Sequence, residues 1–275
     1  MESEHPRFVD RVLRLLERAE YRRADCSRDK QAIYRLRHEA YMRAGTVEPR
    51  ASGMFHDPLD ETDNAWLIGL YIDGELASAL RLHVSASPKA PMPALMSFPD
   101  VVEPLLKAGC LIIDATRFVA KLEFTQRYSE IPYLALRPTF VAERFFGADF
   151  ITAACLAEHQ AFYRRMFGGV PWRQPRPYPN FMQPMALIGH DCGALREATY
   201  ERYPFYRSSK SEQARLFSRS SNASGDILRA IGREVEVERA PSAARHIPNT
   251  DVEGALFHKS RRQRLVRHAS TSRPA

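Results

Sequence analysis

Apolar residues recur every three or four positions at Phe8, Val12, Leu15, Leu16 and Ala19, which predicts an amphipathic helix over the first twenty residues. Tyr21 to Cys26 reads as a short edge strand. Ser27 or Asp29 is placed to cap a second helix from about Gln31 to Ala44, closed by Gly45, with Ile33, Leu36, Ala40 and Tyr41 as its buried stripe. Thr46 to Asn64 has turn-formers and acids but no period, and reads as a long loop. Two apolar runs, Trp66–Ile72 and Glu75–Val84, flank Asp73-Gly74 and predict a tight hairpin, because this turn needs positive φ. After a polar, proline-rich connection from Ser85 to Pro93, a short helix is expected at Val101–Lys107 and a strand at Cys110–Val119. A helix at Pro132–Phe146, a strand at Phe150–Leu156 and a helix at Ala157–Phe167 follow. Met182–Ile188 is the last clear strand, and Cys192–Arg202 reads as one more helix.

This order predicts an α/β (α+β) fold, a mixed, mostly antiparallel sheet flanked by helices, in one domain over residues 1–206. Residues 207–275 read as a C-terminal extension, partly helical or disordered and basic at its end. At 275 residues and 44% hydrophobic composition the chain readily supplies a core. Arg7, Arg11 and Arg14 break up any signal-peptide core, and no apolar run approaches the roughly 20 residues needed to span a bilayer. Cys26, Cys110, Cys155 and Cys192 form no CxxC pair and suit a reducing compartment better than a metal site or disulfide frame. A soluble, cytoplasmic protein without a metal is the expectation. The net charge of +7 is partly local, with Lys259, Arg261, Arg262, Arg264, Arg267 and Arg273 unopposed by any acid. The bland reading, a solvated and disordered tail, is the favoured one; the functional reading is attraction to an acidic partner, whether nucleic acid, an anionic membrane in transient contact or an acidic carrier protein.

The informative chemistry lies elsewhere. Asp57-Pro-Leu-Asp60, Arg81 and Asp114-Ala-Thr-Arg117-Phe118 place acids and arginines at the edges of segments that otherwise read as buried strands. Buried charge is costly unless paired, so the pattern implies a polar network inside a cleft. Such a set is able to position an amine and stabilise developing charge; the bland alternative is a salt-bridge network that pins the loop to the sheet. Asp114 and Arg117, inside an apolar strand, fit that alternative least well.

In order and spacing, Tyr34-Arg-Leu-Arg37-His-Glu-Ala-Tyr41, Asp57-x-x-Asp60, Arg81 and Asp114-x-x-Arg117-Phe118 resemble the acyl-homoserine-lactone synthases and, more closely, the long-chain N-acyl amino acid synthases of the GNAT-like fold. The resemblance spans roughly residues 20 to 206. Where those families usually carry glutamate, this chain has Asp114. The tryptophan usual in the lactone branch is missing from Gly45 to Ser52, which favours the amino acid branch.

The resemblance implies an N-acyltransferase that moves a long-chain fatty acyl group from an acyl carrier protein thioester to the α-amine of an amino acid. It implies no bound cofactor; the donor substrate is acyl-phosphopantetheine on acyl carrier protein. Asp114, Arg117, Asp60 and Arg81 become the catalytic candidates, with Asp114 first choice for the base. Arg37, Tyr41, Asp57, Phe118 and Tyr163 become substrate-binding candidates, Tyr163 also as proton donor to the leaving thiol. Helix Pro132–Phe146 and strand Phe150–Leu156 are expected to line the acyl pocket. Lys121, Arg127, Arg137, Arg144, Arg164 and Arg165 are candidates for carrier docking, and no nucleic acid partner is expected. The alternatives are an acyl-homoserine-lactone synthase and a non-catalytic acyl-carrier or nucleic-acid binding protein.

Overall fold

Seven strands in the order β1-β2-β3-β4-β5-β7-β6 form the sheet, antiparallel at every pairing except β4 with β5. The computed structural model describes residues 5–218, all within one compact unit; the basic segment from Lys259 onward lies outside the described residues. In chain order the elements begin with α1 (His5–Glu17), β1 (Ala19–Arg23) and α2 (Ser27–Arg43). A 3-10 turn (Pro58–Glu61) precedes β2 (Ala65–Ile72) and β3 (Glu75–Ser85). Next come α3 (Pro93–Ser97), α4 (Pro99–Lys107), β4 (Ile112–Ala120), α5 (Leu122–Arg127), α6 (Ile131–Phe146) and β5 (Phe150–Cys155). The described part ends with α7 (Gln160–Phe167), β6 (Val170–Arg176), β7 (Met185–Asp191), α8 (Cys192–Arg202) and α9 (Lys210–Phe217). None of these helices is long and apolar enough to cross a membrane.

The hairpin forms as expected, with Asp73 at φ 50° and Gly74 at φ 84°. β2 is buried along its whole length, which is why its sequence does not alternate: both sheet faces are covered. On β3 alternation decides what meets what. Leu80, Leu82 and Val84 pack with α6 in the main core, whereas Arg81 and His83 point to the opposite face, where α2 lies. α6 makes the crossover between the parallel strands β4 and β5. Its chain ends at Gly147, whose φ of 64° lets the backbone turn out of the helix.

Four local expectations need correction. β6 is a strand in a segment to which the sequence assigns no element; it lies at the sheet edge, where a strand tolerates prolines such as Pro171 and Pro175. β7 begins three residues later than the sequence suggests. α3 and α5 were not anticipated, each being too short to show a period. α2 starts at Ser27 itself, with Cys26 as its N-cap and no side-chain cap bond, so neither Ser27 nor Asp29 caps it. Packed structure continues past residue 206, because Leu216 and Phe217 of α9 are buried against α6 and Trp66.

Candidate active site

The loop after α2 folds back into the 3-10 turn, whose N-cap residue, Asp57, accepts from Leu59 N at 3.0 Å, while Asp60 accepts from Asp57 N at 2.9 Å. This reciprocal cap fixes both carboxylates above the α2-facing side of the sheet. Asp57 takes Arg81 Nη1 at 2.8 Å and Arg117 Nη2 at 2.6 Å; Asp60 takes Arg37 Nη1 at 2.8 Å and Arg81 Nη1 at 3.0 Å. Arg37, Asp57, Asp60, Arg81 and Arg117 therefore form one buried chain of contacts, with Arg81 at its centre and its Nε on Thr116 Oγ1 at 3.2 Å. Burial opposes ionisation of both acids, but the guanidiniums outweigh it, and both carboxyls lie below the ordinary range.

Arg117 is held in an unusual backbone state. Its φ is 56°, and the β3–β4 ladder slips there: Ala79 faces Val119 and Arg81 faces Thr116, so β4 carries one residue more than β3. This bulge costs about 1 kcal/mol at a non-glycine residue. The side chain holds it in place, bonded to Asp57 and lying over the rings of Phe55 and Phe181 at 5.0 and 4.8 Å.

Just beyond the bulge the sheet opens. β4 and β5 pair only from Ile112–Phe150 to Ala115–Ala153, and past that point the two strands part around a cavity of about 960 Å³. The cavity reaches both sides of the sheet. On the α2 side it meets Tyr41, Tyr178 and Phe181; on the α6 side it meets Cys155, Phe162 and Tyr163. Arg117 and Phe118 form part of its β4 wall.

The sequence candidates fall into three groups. Arg117, Phe118, Tyr41 and Tyr163 line the cavity, and burial pushes the Tyr163 phenol above its ordinary pKa. Arg37, Asp57, Asp60 and Arg81 stand behind Arg117. Asp114 joins neither group directly. It lies on the same face as Thr116, two residues or ~7 Å deeper along β4, and is not among the residues lining the cavity. Its carboxylate accepts from Ala94 N at 2.8 Å and Thr152 Oγ1 at 2.9 Å, and burial raises its pKa to about 6 against these bonds and the charge of Arg81. Of the two segments expected to form an acyl pocket, Pro132, Ala154, Cys155 and Leu156 line this cavity, while most of α6 packs into the core instead. Arg137 is no docking residue: it is buried, bonded to Phe205 O at 2.6 Å and paired with Glu212. Arg127, Arg144, Arg164 and Arg165 are exposed.

Sequence reasoning missed Tyr178 and Gln183. Both lie in the β6–β7 connection, both line the cavity, and Tyr178 Oη and Gln183 Oε1 are buried without a hydrogen-bond partner among the described residues. The one hint is the run Arg176-Pro177-Tyr178-Pro179, an aromatic fixed between two prolines.

A family model for the N-acyl amino acid synthase FeeM matches residues 32–191. The fold is similar to the structure of FeeM, an N-acyl amino acid synthase from uncultured soil microbes, with a TM-score of 0.57 at 13% identity, covering 67% of this chain and 97% of that one. It is also similar, with a TM-score of 0.47 at 13% identity, to the acyl-homoserine lactone synthase LasI, covering 62% of this chain and 87% of that one. An acyl-CoA N-acyltransferase from Pseudomonas aeruginosa gives 0.41 at 19% identity, covering 62% of this chain and 97% of that one. No curated sequence matches.

Proposed function

The chain belongs to the FeeM family of N-acyl amino acid synthases, acyltransferases of GNAT-like fold, and on that premise we propose that it acylates the α-amine of a free amino acid with a long-chain acyl group from acyl carrier protein. The observation that supports this most is the two-sided cavity. Its α2 side borders an arginine with nitrogens to spare, suited to a small charged acceptor, and its α6 side is largely apolar, suited to a fatty chain. At about 960 Å³ it is at the upper end for small-molecule sites, room for both substrates.

In this mechanism the thioester enters between the parted ends of β4 and β5. Backbone N–H groups at the bulge near Phe118, where the ladder slips, stabilise the oxyanion as the amine attacks. The amine proton passes through a water to Asp114, whose pKa of about 6 suits a group that must accept a proton near neutral pH. Tyr163, kept protonated by burial, gives a proton to the departing thiolate and is reprotonated from Asp114 through solvent, so that one proton passes from nitrogen to sulfur overall. No acyl-enzyme forms, because the thioester is already activated. Arg37, Arg81, Asp57 and Asp60 act by position, holding Arg117 and the bulge in place. Acyl carrier proteins are strongly acidic, so exposed Arg127, Arg164 and Arg165 give the carrier a complementary surface.

The test is incubation of the purified protein with acyl carrier protein loaded with a C12–C16 acyl group, alone and with each amino acid, following thiol release and product mass. Amino acid-dependent thiol release and N-acyl amino acids are expected. Acyl-homoserine lactones as the product, or thiol release indifferent to amino acids, refutes the assignment.

A further inference from the structure

Among the buried side-chain atoms without a hydrogen-bond partner in the described residues, those of Arg117, Tyr178 and Gln183 belong to residues that line the cavity. An unpaired buried polar group costs about 1–3 kcal/mol. Leaving several on one cavity is therefore a stability loss that a ligand is positioned to offset. Arg117 spends Nη2 on Asp57 and keeps Nε and Nη1 unpaired, with only 7% of its surface exposed. Tyr178 is equally enclosed at 7% exposure, and its Oη has no partner.

Position links the two. The Arg117 guanidinium lies 4.8 Å over the ring of Phe181, and that ring packs 6.0 Å from the ring of Tyr178. Pro177 and Pro179 restrict the backbone on both sides of Tyr178, and Phe181 N closes the turn onto Tyr178 O at 3.2 Å. The Tyr178 side chain is thus carried on a stiff loop beside the cavity, at little entropic cost to a ligand. Burial, reinforced by the charge of Asp114, raises the Tyr178 phenol well above its ordinary pKa, so it donates rather than ionises. Charge balance points the same way. Three guanidiniums face two carboxylates in the network, and of the three arginines Arg117 is the one that reaches the cavity.

We propose that Tyr178 Oη and the unpaired nitrogens of Arg117 together bind the α-carboxylate of the acceptor, which makes Tyr178 a specificity-determining residue that selects amino acids over amines lacking the acid. This rests on the acyltransferase reading given above and extends it to a residue outside the acid–arginine set.

The test measures binding without turnover. N-dodecanoylglycine and its neutral counterpart N-dodecanoylglycinamide are titrated calorimetrically into the full-length wild-type protein and Tyr178→Phe. Wild type is expected to prefer the acid by about ten-fold or more, the scale of hydrogen bonds to a charged group. Tyr178→Phe is expected to reduce that preference to about three-fold or less while binding the glycinamide as wild type does; the retained amide binding shows that the variant is folded. An unchanged acid-to-amide ratio in Tyr178→Phe, no acid preference in wild type, or no binding of either probe overturns the proposal. In parallel, wild-type turnover with acyl carrier protein and amino acids tests the enzyme assignment. Acid-selective binding that depends on Tyr178, with no turnover, sinks that assignment and leaves the subsite standing. Turnover with an unchanged ratio does the reverse.

Discussion

Replacing Asp114 with Asn separates chemistry from structure at the buried acid of β4. The substitution is nearly isosteric and keeps the local bonding: the amide oxygen accepts from Ala94 N, and the amide NH₂ donates to Thr152 Oγ1, whose hydroxyl reverses its role. What it removes is a titration. Burial raises the folded-state pKa to about 6, against 3.8 for an unperturbed Asp. The folded state thus holds a proton that the unfolded state releases between those values, so this group's contribution to stability is full below pH 4 and falls as pH rises towards 6. That difference corresponds to about 3 kcal/mol in all, of which about 2 kcal/mol falls between pH 4.5 and 7.5.

Thermal melting of wild type and Asp114→Asn at those two pH values isolates the term, since every other titrating group is common to both proteins. The Tm difference, variant minus wild type, is expected to become more favourable to the variant at pH 7.5 by roughly 4–8 °C. In turnover at saturating amino acid, wild-type kcat is expected to fall below pH 6. The variant is expected to lose about 10²–10⁴-fold in kcat at pH 8 and to lack that acid limb. A Tm difference that does not change with pH refutes the argument about the buried acid. A variant with kcat within a few-fold of wild type, and the same acid limb, shows that Asp114 is no base even if the melting behaves as described.

Asp57→Asn removes a carboxylate shared by Arg81 and Arg117, and is expected to cost about 3–5 kcal/mol at pH 7 in chemical denaturation. Because the folded-state pKa of Asp57 is depressed, wild type loses that advantage as pH falls below about 4, and the gap between the two proteins should close there; a gap independent of pH argues against the pairing. Cys155→Phe fills space on the α6 side of the cavity and is expected to shift products towards shorter acyl chains by mass spectrometry, whereas an unchanged chain-length profile places the acyl group elsewhere. Gly189→Ala sets a Cβ 1.9 Å from Trp172 Cε2, an overlap that must displace the indole, so about 1–3 kcal/mol of stability and a changed Trp emission are expected; wild-type melting and emission would contradict that packing.

Legibility in the sequence followed the length scale of the signal. The hairpin at Asp73-Gly74 and the helix α1 are readable because a turn dipeptide marks the one and a full amphipathic span the other. The acid–arginine set is readable because charges in apolar strands need partners, and Asp57, Asp60, Arg81 and Arg117 do meet, joined by Arg37 of α2. Asp114 joins the set in the sequence as an acid inside an apolar strand, yet its oxygens belong to Ala94 and Thr152, contacts made by elements whose approach no local pattern records. β6 was hidden by prolines that only an edge position tolerates, and the bulge at Arg117 was hidden because positive φ carries no signature in a residue other than glycine. Tyr178 was invisible for a related reason: between prolines, a buried donor and an ordinary loop tyrosine look alike.

The separation of Asp114 from the other two acids bears on how the proposed reaction balances charge. Asp57 and Asp60 are each held ionised by guanidiniums, so neither accepts a proton near neutral pH; together with Arg37, Arg81 and Arg117 they form a fixed charge set with one positive charge in excess. Asp114 is the acid whose ionisation near neutral pH is finely balanced. When it is ionised, its charge offsets that excess through Arg81. When it takes the amine proton, the excess is restored along β4 at the moment an oxyanion forms beside Phe118, so proton uptake and oxyanion stabilisation reinforce one another. Were Asp114 drawn into direct contact with a guanidinium, its pKa would fall with those of its neighbours and this coupling would be lost. Its bonds to Ala94 N and Thr152 Oγ1, in place of a guanidinium, are therefore what the proposed coupling rests on.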